Sequence, residues 1–304
     1  MKKTFLYFCL LFIVQTAFAA DSLYVREQQI PILIDRIDNV LYEMRIPAQK
    51  GDVLNEITIQ IGDNVNLSDI QAIRLFYSGV EAPSRKGEHF SPVTYISSHI
   101  PGNTRKALES YSVRQDEVTA PLSRTVKLTS KQPMLKGINY FWVSIQMKPE
   151  TSLLAKVATT IPNAQINNKP IDITWKGKVD ERHVGIGVRQ AGDDGSAAFR
   201  IPGLVTTNNG TLLGVYDIRY NSSVDLQEKI DIGVSRSTDK GQTWEPMRVA
   251  MTFKQTDGLP HGQNGVGDPS ILVDEKTNTI WVVAAWTHGM GNERAWWNLS
   301  LIHI

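Results

Sequence analysis

One cysteine in 304 residues is close to none, and Cys9 lies in a segment that reads as temporary. Lys2 and Lys3, the apolar run Phe5 to Val14 and the small-residue site Ala17-Phe18-Ala19 read as an export signal over residues 1–19. The exported protein then has no disulfide and no thiol nucleophile. An excess of either charge is lacking too. The formal net charge is +1, and it becomes −1 once Lys2 and Lys3 leave, so there is no electrostatic footprint for nucleic acid. After the signal no apolar run reaches the length of a transmembrane helix. The expectation is an exported protein, in the periplasm, on the cell surface or in the medium, with no stable membrane span after cleavage. The six histidines show no metal-ligand spacing, and there is no G-x-S-x-G elbow. Gly185-Ile186-Gly187-Val188-Arg189-Gln190-Ala191-Gly192 lacks the G-x-G-x-x-G spacing of a dinucleotide loop, and Asp-Asp-Gly follows where a helix should start. No cofactor is expected.

A long 3.6-residue period is absent as well, and what is present alternates. Ile57-Thr58-Ile59-Gln60-Ile61 has period two, and Val126 and Leu128 alternate with Thr125, Lys127 and Thr129. Ile73 to Tyr77 and Tyr140 to Met147 are short runs rich in strand formers. Gly62-Asp63-Asn64, Ser78-Gly79, Pro101-Gly102-Asn103 and Lys136-Gly137 read as turns between them. Short strands at this spacing predict a β-sandwich over residues 20–178. The stretch from Lys176 to Ala198 is rich in glycine and charge and reads as a linker. Beyond it come three hairpins. Gly203 to Thr207 and Thr211 to Tyr216 flank Asn208-Asn209-Gly210, where Asn-Gly supplies positive φ. Ile230 to Ser235 and Met247 to Phe253 flank a second loop, and Ser270 to Val273 and Thr279 to Trp286 a third. Successive hairpins fit a β-propeller or a second sandwich.

The second loop chooses between them. Ser237-Thr238-Asp239-Lys240-Gly241-Gln242-Thr243-Trp244 matches S-x-D-x-G-x-T-W, the Asp-box. Asp239 can accept backbone N–H bonds inside its own turn. Gly241 permits a left-handed backbone. Trp244 can fold back over the loop and bury it. The D-x-D-x-D-G ladder and closing Glu of a calcium loop are missing. The motif is a structural device, formed by Ser237, Asp239, Gly241 and Trp244, and it points to a propeller whose blades each carry such a hairpin.

Phe199-Arg200-Ile201-Pro202-Gly203, followed 37 residues after Arg200 by this Asp-box, resembles the bacterial exo-sialidases (neuraminidases) of the Bacteroides type. The resemblance extends through the segments around Tyr216 to Trp244 and Gly262 to Trp297. It implies an all-β chain: an N-terminal β-sandwich, then over residues 179–304 the start, about two blades, of a six-bladed Asp-box β-propeller. It implies an exo-sialidase, a glycoside hydrolase that releases terminal sialic acids from glycoproteins, glycolipids and oligosaccharides with retention of configuration.

Sialic acid carries a carboxylate on its anomeric carbon, so a site for it needs a fixed cationic clamp, and an arginine fork pairs with a carboxylate in bidentate fashion. Arg200 resembles the first of the family's three carboxylate-binding arginines. Phe199, Ile201 and Pro202 are expected to stiffen it and shield it from water. Asp225 falls where the family places its general acid/base, which gives a proton to the leaving oxygen and takes one from water. Asp217 is its nearest competitor. Arg219 resembles the residue on the sugar's hydroxyl rim, and Asp268 the aspartate facing the acetamido side. Each has a plainer reading: a structural ion pair for Arg200, a solvated loop carboxylate for Asp225, a surface arginine for Arg219, a turn-stabilising carboxylate before Pro269 for Asp268. Trp281, Trp286, Trp296 and Trp297 suit either a sugar-pocket wall or blade packing.

The family's tyrosine nucleophile, its helper glutamate and two more clamp arginines belong to later blades. Residues 181–304 suffice for about two and a half blades at roughly 40–50 residues each, against about four for closure. Asn298 to Ile304 depart from what the family shows after Ala295-Trp296-Trp297. The expectation is a C-terminally truncated sialidase chain without activity of its own. The alternative is a non-catalytic glycan-binding or spacer module formed by the sandwich.

Overall fold

The computed structural model describes residues 22–27, 29–80, 112–177, 181–225 and 228–288. The export signal, Pro101-Gly102-Asn103, Trp296 and Trp297 lie outside the described residues. Strands dominate, and the described residues contain only short 3-10 turns and no α-helix.

Alternation becomes sidedness at once. In Thr125–Thr129 the two apolar residues are buried and the three polar ones exposed. In Leu54–Ile61, Ile57, Ile59 and Ile61 have no accessible surface. These two strands lie in a four-stranded sheet ordered Lys169–Pro170, Thr159–Ile166, Leu54–Ile61, Thr125–Thr129. The second layer has six strands: Asp172–Lys176, Ser22–Glu27, Asn39–Ala48, Gly137–Met147, Ile70–Gly79 and Val113–Thr119. Between them Leu23, Leu41, Met44, Ile59, Leu75, Phe141, Val143 and Ile145 form one apolar core. Each such side chain contributes about 1.5–3 kcal/mol by leaving water. The outer face of the larger sheet carries its own small cluster, with Trp142 stacked on Phe76 at 3.8 Å.

Two readings of the sequence are corrected here. Ser78-Gly79 is not a turn: it ends the Ile70–Gly79 strand, and Gly79 pairs with Tyr140. The stretch after Lys176 is not wholly a linker. Arg182–Gly185 is a strand, parallel to Ile32–Leu33 and antiparallel to Lys156–Val157. Its anchor is electrostatic, which hydrophobic alternation does not register. Arg182 meets Glu27 at 2.9 Å with both side chains almost wholly buried, and donates to the Leu41 carbonyl at 2.6 Å.

Residues 198–286 form two packed blades. The first is a four-stranded antiparallel sheet, Ala198–Thr206, Leu212–Arg219, Ile230–Ser237, Arg248–Met251. Its first turn is longer than a two-residue hairpin: Thr207 closes it on Thr211, and Gly210 alone takes positive φ, at 83°. The second blade is the pair Val266–Asp274 and Thr279–Trp286. Its first strand packs on the first blade, where Gly203 brings Ile271 against the backbone. Asn208 donates to the Glu275 carbonyl at 2.8 Å and to Asn278 at 2.7 Å, tying the two hairpin turns together.

The first strands of both blades share one irregularity. The pairing register shifts between Arg200 and Gly203, and again between Gly267 and Ser270. Ile201 and Asp268 sit at these shifts with φ of 52° and 53°, each directly before a proline. Such bulges bend a strand and re-aim its side chains. For a β-branched residue such as Ile201 this backbone is a true outlier.

A two-arginine anion site between the blades

Strand geometry collects the charged residues. Asp217 and Arg219 lie two apart in one strand and so share a face. Arg200 is the cross-strand partner of Asp217 and joins them. The side chains of Asp217 and Arg219 have no accessible surface. Arg219 Nε and Nη2 donate to Asp217 Oδ2 at 3.1 and 2.7 Å. Asp217 Oδ1 accepts the backbone N–H of Asp268 at 2.9 Å, which links the buried pair to the second blade.

The loop after Arg219 folds back over both guanidiniums. Asp225 Oδ1 accepts from Arg219 Nη1 at 2.6 Å and from Arg200 Nη1 at 2.9 Å. The Ser223 carbonyl accepts from the same two nitrogens, at 2.9 and 3.0 Å. Two guanidiniums thus converge on one carboxylate oxygen and one carbonyl. Asp225 itself is largely exposed, at 72%.

The charges respond to this arrangement. Hydrogen bonding from Arg219, with Arg200 adding to it, holds the Asp225 carboxyl below its ordinary range. Burial pushes the Asp217 carboxyl up, against the pull of Arg219 and the Asp268 N–H. Desolvation works to discharge Arg219, and the bonds from Asp225 and Asp217 outweigh it, so its pKa is raised.

Arg200, Arg219 and Asp225 are therefore brought together, and Asp268 joins them through its backbone while its carboxylate stays exposed. Arg219 is not a surface arginine. The expected shielding of Arg200 is not found. Its side chain is 43% exposed, Ile201 and Pro202 are exposed too, and Phe199 packs edge-on against Tyr216 at 5.3 Å. Alternation is the reason, since Phe199 points to the other face of the strand. Trp281 is exposed, and Trp286 stacks on Phe253 at 4.5 Å.

The Asp-box forms as the motif implies. Asp239 accepts from the Thr243 N–H at 2.9 Å and from its hydroxyl at 2.5 Å, and Ser237 donates to it at 2.8 Å. Gly241 has φ of 88°, and Trp244 donates to its carbonyl at 3.2 Å. This loop closes the end of Ile230–Ser237 remote from Asp225, roughly 25 Å along the strand at ~3.3 Å per residue. It has no part in the anion site.

A second polar cluster roots the loop and has no sequence signature. Tyr220 donates to Asp231 Oδ2 at 3.0 Å, and His261 Nε2 lies 2.7 Å from Asp231 Oδ1. Lys229 sits 4.2 Å over the Tyr220 ring. Burial, and then the Asp231 charge, push the Tyr220 phenol well above its ordinary range. His261 comes from a different connection, thirty residues after Asp231, so only the fold reveals the contact. Among the described residues no group of three or more His, Cys, Asp or Glu is placed to share a metal ion.

Three comparisons bear on this geometry. Residues 20–170 match the family described as the N-terminal domain of BNR-repeat neuraminidase. A sialidase of Bacteroides fragilis (strain YCH46) is 56% identical across 98% of this chain and 56% of its own length. The solved structure described as Hadza microbial sialidase Hz136 superposes with a TM-score of 0.76 at 55% identity, covering 90% of this chain and 53% of that one. The chain spans about half the length of either relative.

Proposed function

Because this chain belongs to the bacterial sialidases, we propose that it carries the first part of an exo-sialidase site, acting on terminal sialic acids of glycoconjugates. Arg200 receives the sugar carboxylate, and Arg219 lies against the sugar's hydroxyl rim. Asp225 serves as the general acid/base, and Asp268 faces the acetamido side of the sugar. Asp217 positions Arg219. The reading rests on one observation: two guanidiniums already hold a single carboxylate oxygen at 2.6 and 2.9 Å. An acidic sugar needs a cationic cradle, and Arg200 beside a buried Arg219 kept charged by Asp217 offers one.

The reading includes the expectation that these 304 residues are catalytically incomplete without the family's tyrosine and glutamate. The test is hydrolysis of a fluorogenic sialoside by the purified chain. No turnover is expected. Turnover that disappears on Arg200→Ala would establish the site and refute the incompleteness. Turnover that survives Arg200→Ala would refute the assignment of the clamp.

One observation favours a second role for the sandwich. Tyr24, Arg45 and Tyr140 form one cross-strand row on the outer face of the six-stranded sheet, with Arg45 5.7 Å over the Tyr140 ring. An aromatic and cationic row of this kind suits sugar rings and their anions. Glycan-array binding by residues 20–178, lost on Tyr24→Ala, is the result this role requires.

A further inference from the structure

Asp231 is a buried carboxylate, 4% exposed, whose two oxygens meet different neighbours. The Tyr220 hydroxyl donates to Oδ2 at 3.0 Å, and His261 Nε2 lies 2.7 Å from Oδ1. An ionised carboxylate only accepts, so His261 donates through Nε2. Tyr220 is the first residue after the strand that ends at Arg219, and it opens the loop carrying Asp225. His261 lies in the connection from the first blade to the second. We propose that His261 is a positioning residue for the acid/base: through Asp231 and Tyr220 it fixes the loop, and the loop sets Asp225 against Arg219 and Arg200. The proposal rests on the assignment of Asp225 as the acid/base.

His261 is itself firmly held. It opens a short 3-10 turn, in which the Gln263 N–H bonds the Pro260 carbonyl at 2.9 Å and the Asn264 N–H bonds the His261 carbonyl at 3.0 Å. Asn264 has no accessible surface. Its Nδ2 donates to the carbonyls of Leu259 at 3.0 Å and Thr256 at 3.2 Å, drawing the connection into a closed knot. His288 Nδ1, two residues past the end of Thr279–Trp286, lies 2.9 Å from Asn264 Oδ1. The connection is thus tied to the second blade through His288 and to the first through His261.

The acid/base loop depends on that tie. The Tyr220 N–H reaches the Lys229 carbonyl only at 3.3 Å, and the bond from Asn221 to Glu228 at 3.0 Å is exposed, where water competes for it. The bond from Tyr220 to Asp231 has a buried acceptor, and a hydrogen bond counts for more away from water. At the other end Arg219 cannot follow a moving carboxylate. Its side chain is wholly buried, and Asp217 holds Nε and Nη2. Whether Asp225 meets Arg219 is therefore decided by the loop. A rooted loop keeps the carboxylate at a high effective concentration beside the guanidinium, and a loosened root lowers it.

Position here is chemistry. An acid/base has to give a proton and take one, and nearby cations set how readily it does either. Arg219, at 2.6 Å, and Arg200, at 2.9 Å, are the charges that face Asp225, and bonds from Arg219 above all hold its carboxyl below the ordinary range. The charges around the root are Asp231, Lys229 over the Tyr220 ring and Asp194. A side chain carried by the connection between the blades thereby tunes the acid carried by the first blade.

The test is a carbon-13 NMR titration of the Asp225 and Asp239 carboxyls in the purified chain. In the unaltered chain Asp225 is expected to titrate below an ordinary aspartate and Asp239 at about 2. His261→Ala and Tyr220→Phe are each expected to return Asp225 to the ordinary range. Both are expected to leave Asp239 unmoved, because its bonds close within its own loop at the far end of the blade. His261→Gln, which keeps an N–H donor, is expected to preserve the low Asp225 midpoint. An Asp225 midpoint unmoved by both His261→Ala and Tyr220→Phe overturns the positioning. A joint shift of Asp225 and Asp239 also overturns it, since the cluster then only supports the blade as a whole. Should His261→Ala fail to fold, Tyr220→Phe decides alone, because it keeps the ring under Lys229 and removes only the hydroxyl. The titration does not depend on turnover. Sialoside hydrolysis that survives Asp225→Ala would instead overturn the acid/base assignment, and the role given to His261 with it.

Discussion

The Asp217 carboxylate lies 2.7 Å from the Arg219 guanidinium, and neither side chain has any surface in water. Removing one partner of such a pair strands a buried charge. Asp217→Ala is therefore expected to cost about 3–5 kcal/mol of stability, read by urea denaturation. Asp217→Leu combined with Arg219→Met is expected to recover part of that loss, because no charge is then left unpaired. A double variant as unstable as the sum of the singles would refute the pairing as the cause.

The Asp-box makes a prediction in pH. Hydrogen bonds from the Thr243 hydroxyl and N–H, then from Ser237, lower the Asp239 carboxyl from 3.8 to about 2. A carboxyl depressed on folding contributes stability that is present above its unfolded value and lost as pH falls through its folded one. The loop is thus expected to loosen between about pH 4 and pH 2. The indole N–H resonance of Trp244, bonded to Gly241 in the closed loop, reports it. Asp239→Asn should remove that transition while leaving the sandwich signals unchanged.

Gly233 faces Tyr216 across the first blade. A Cβ there would come within 2.5 Å of the Tyr216 ring and 3.0 Å of Ile218. Gly233→Ala is expected to cost about 1–3 kcal/mol through overpacking. Pairing the change with Tyr216→Leu should relieve part of the cost, and a melt showing no such relief would argue against the contact.

Arg182 and Glu27 test whether the stretch after the sandwich belongs to it. With both side chains almost wholly buried at 2.9 Å, Arg182→Met is expected to destabilise by about 3–5 kcal/mol. Hydrogen exchange should show the loss at Ile32–Leu33 and Lys156–Val157, which pair with Arg182–Gly185, and at Ser22–Glu27, which Arg182 reaches through Glu27. Loss confined to the blades would place the strand with them instead.

What was legible in the sequence was local. Ile57 to Ile61 and Thr125 to Thr129 reveal strands because one face is buried and the other is not. The Asp-box can be read because all its bonds close within eight residues. Arg200, Arg219 and Asp225 could be singled out through the resemblance to the sialidases, which spans the one hairpin and loop that hold all three. What was not legible depends on distant chain. The parallel pairing of Ser22–Glu27 with Asp172–Lys176 joins segments about 150 residues apart. Asp217 shows its role only when the backbone of Asp268 arrives from the next blade. Phe199 was misjudged as a shield because adjacent residues in a strand face opposite ways.

The shared bulge before Pro202 and Pro269 has a consequence for how such a site changes over time. Each blade offers one hooked position at the mouth of its first strand: arginine and isoleucine occupy it in one blade, glycine and aspartate in the next. The hook is set by main-chain geometry and the proline, and the reactive group is set by the side chains it happens to display. Scaffold and chemistry can therefore vary separately. A duplicated hairpin can bring a ready-made bracket to the mouth of the propeller, and single substitutions can then decide whether that bracket presents a cation, an anion or nothing at all.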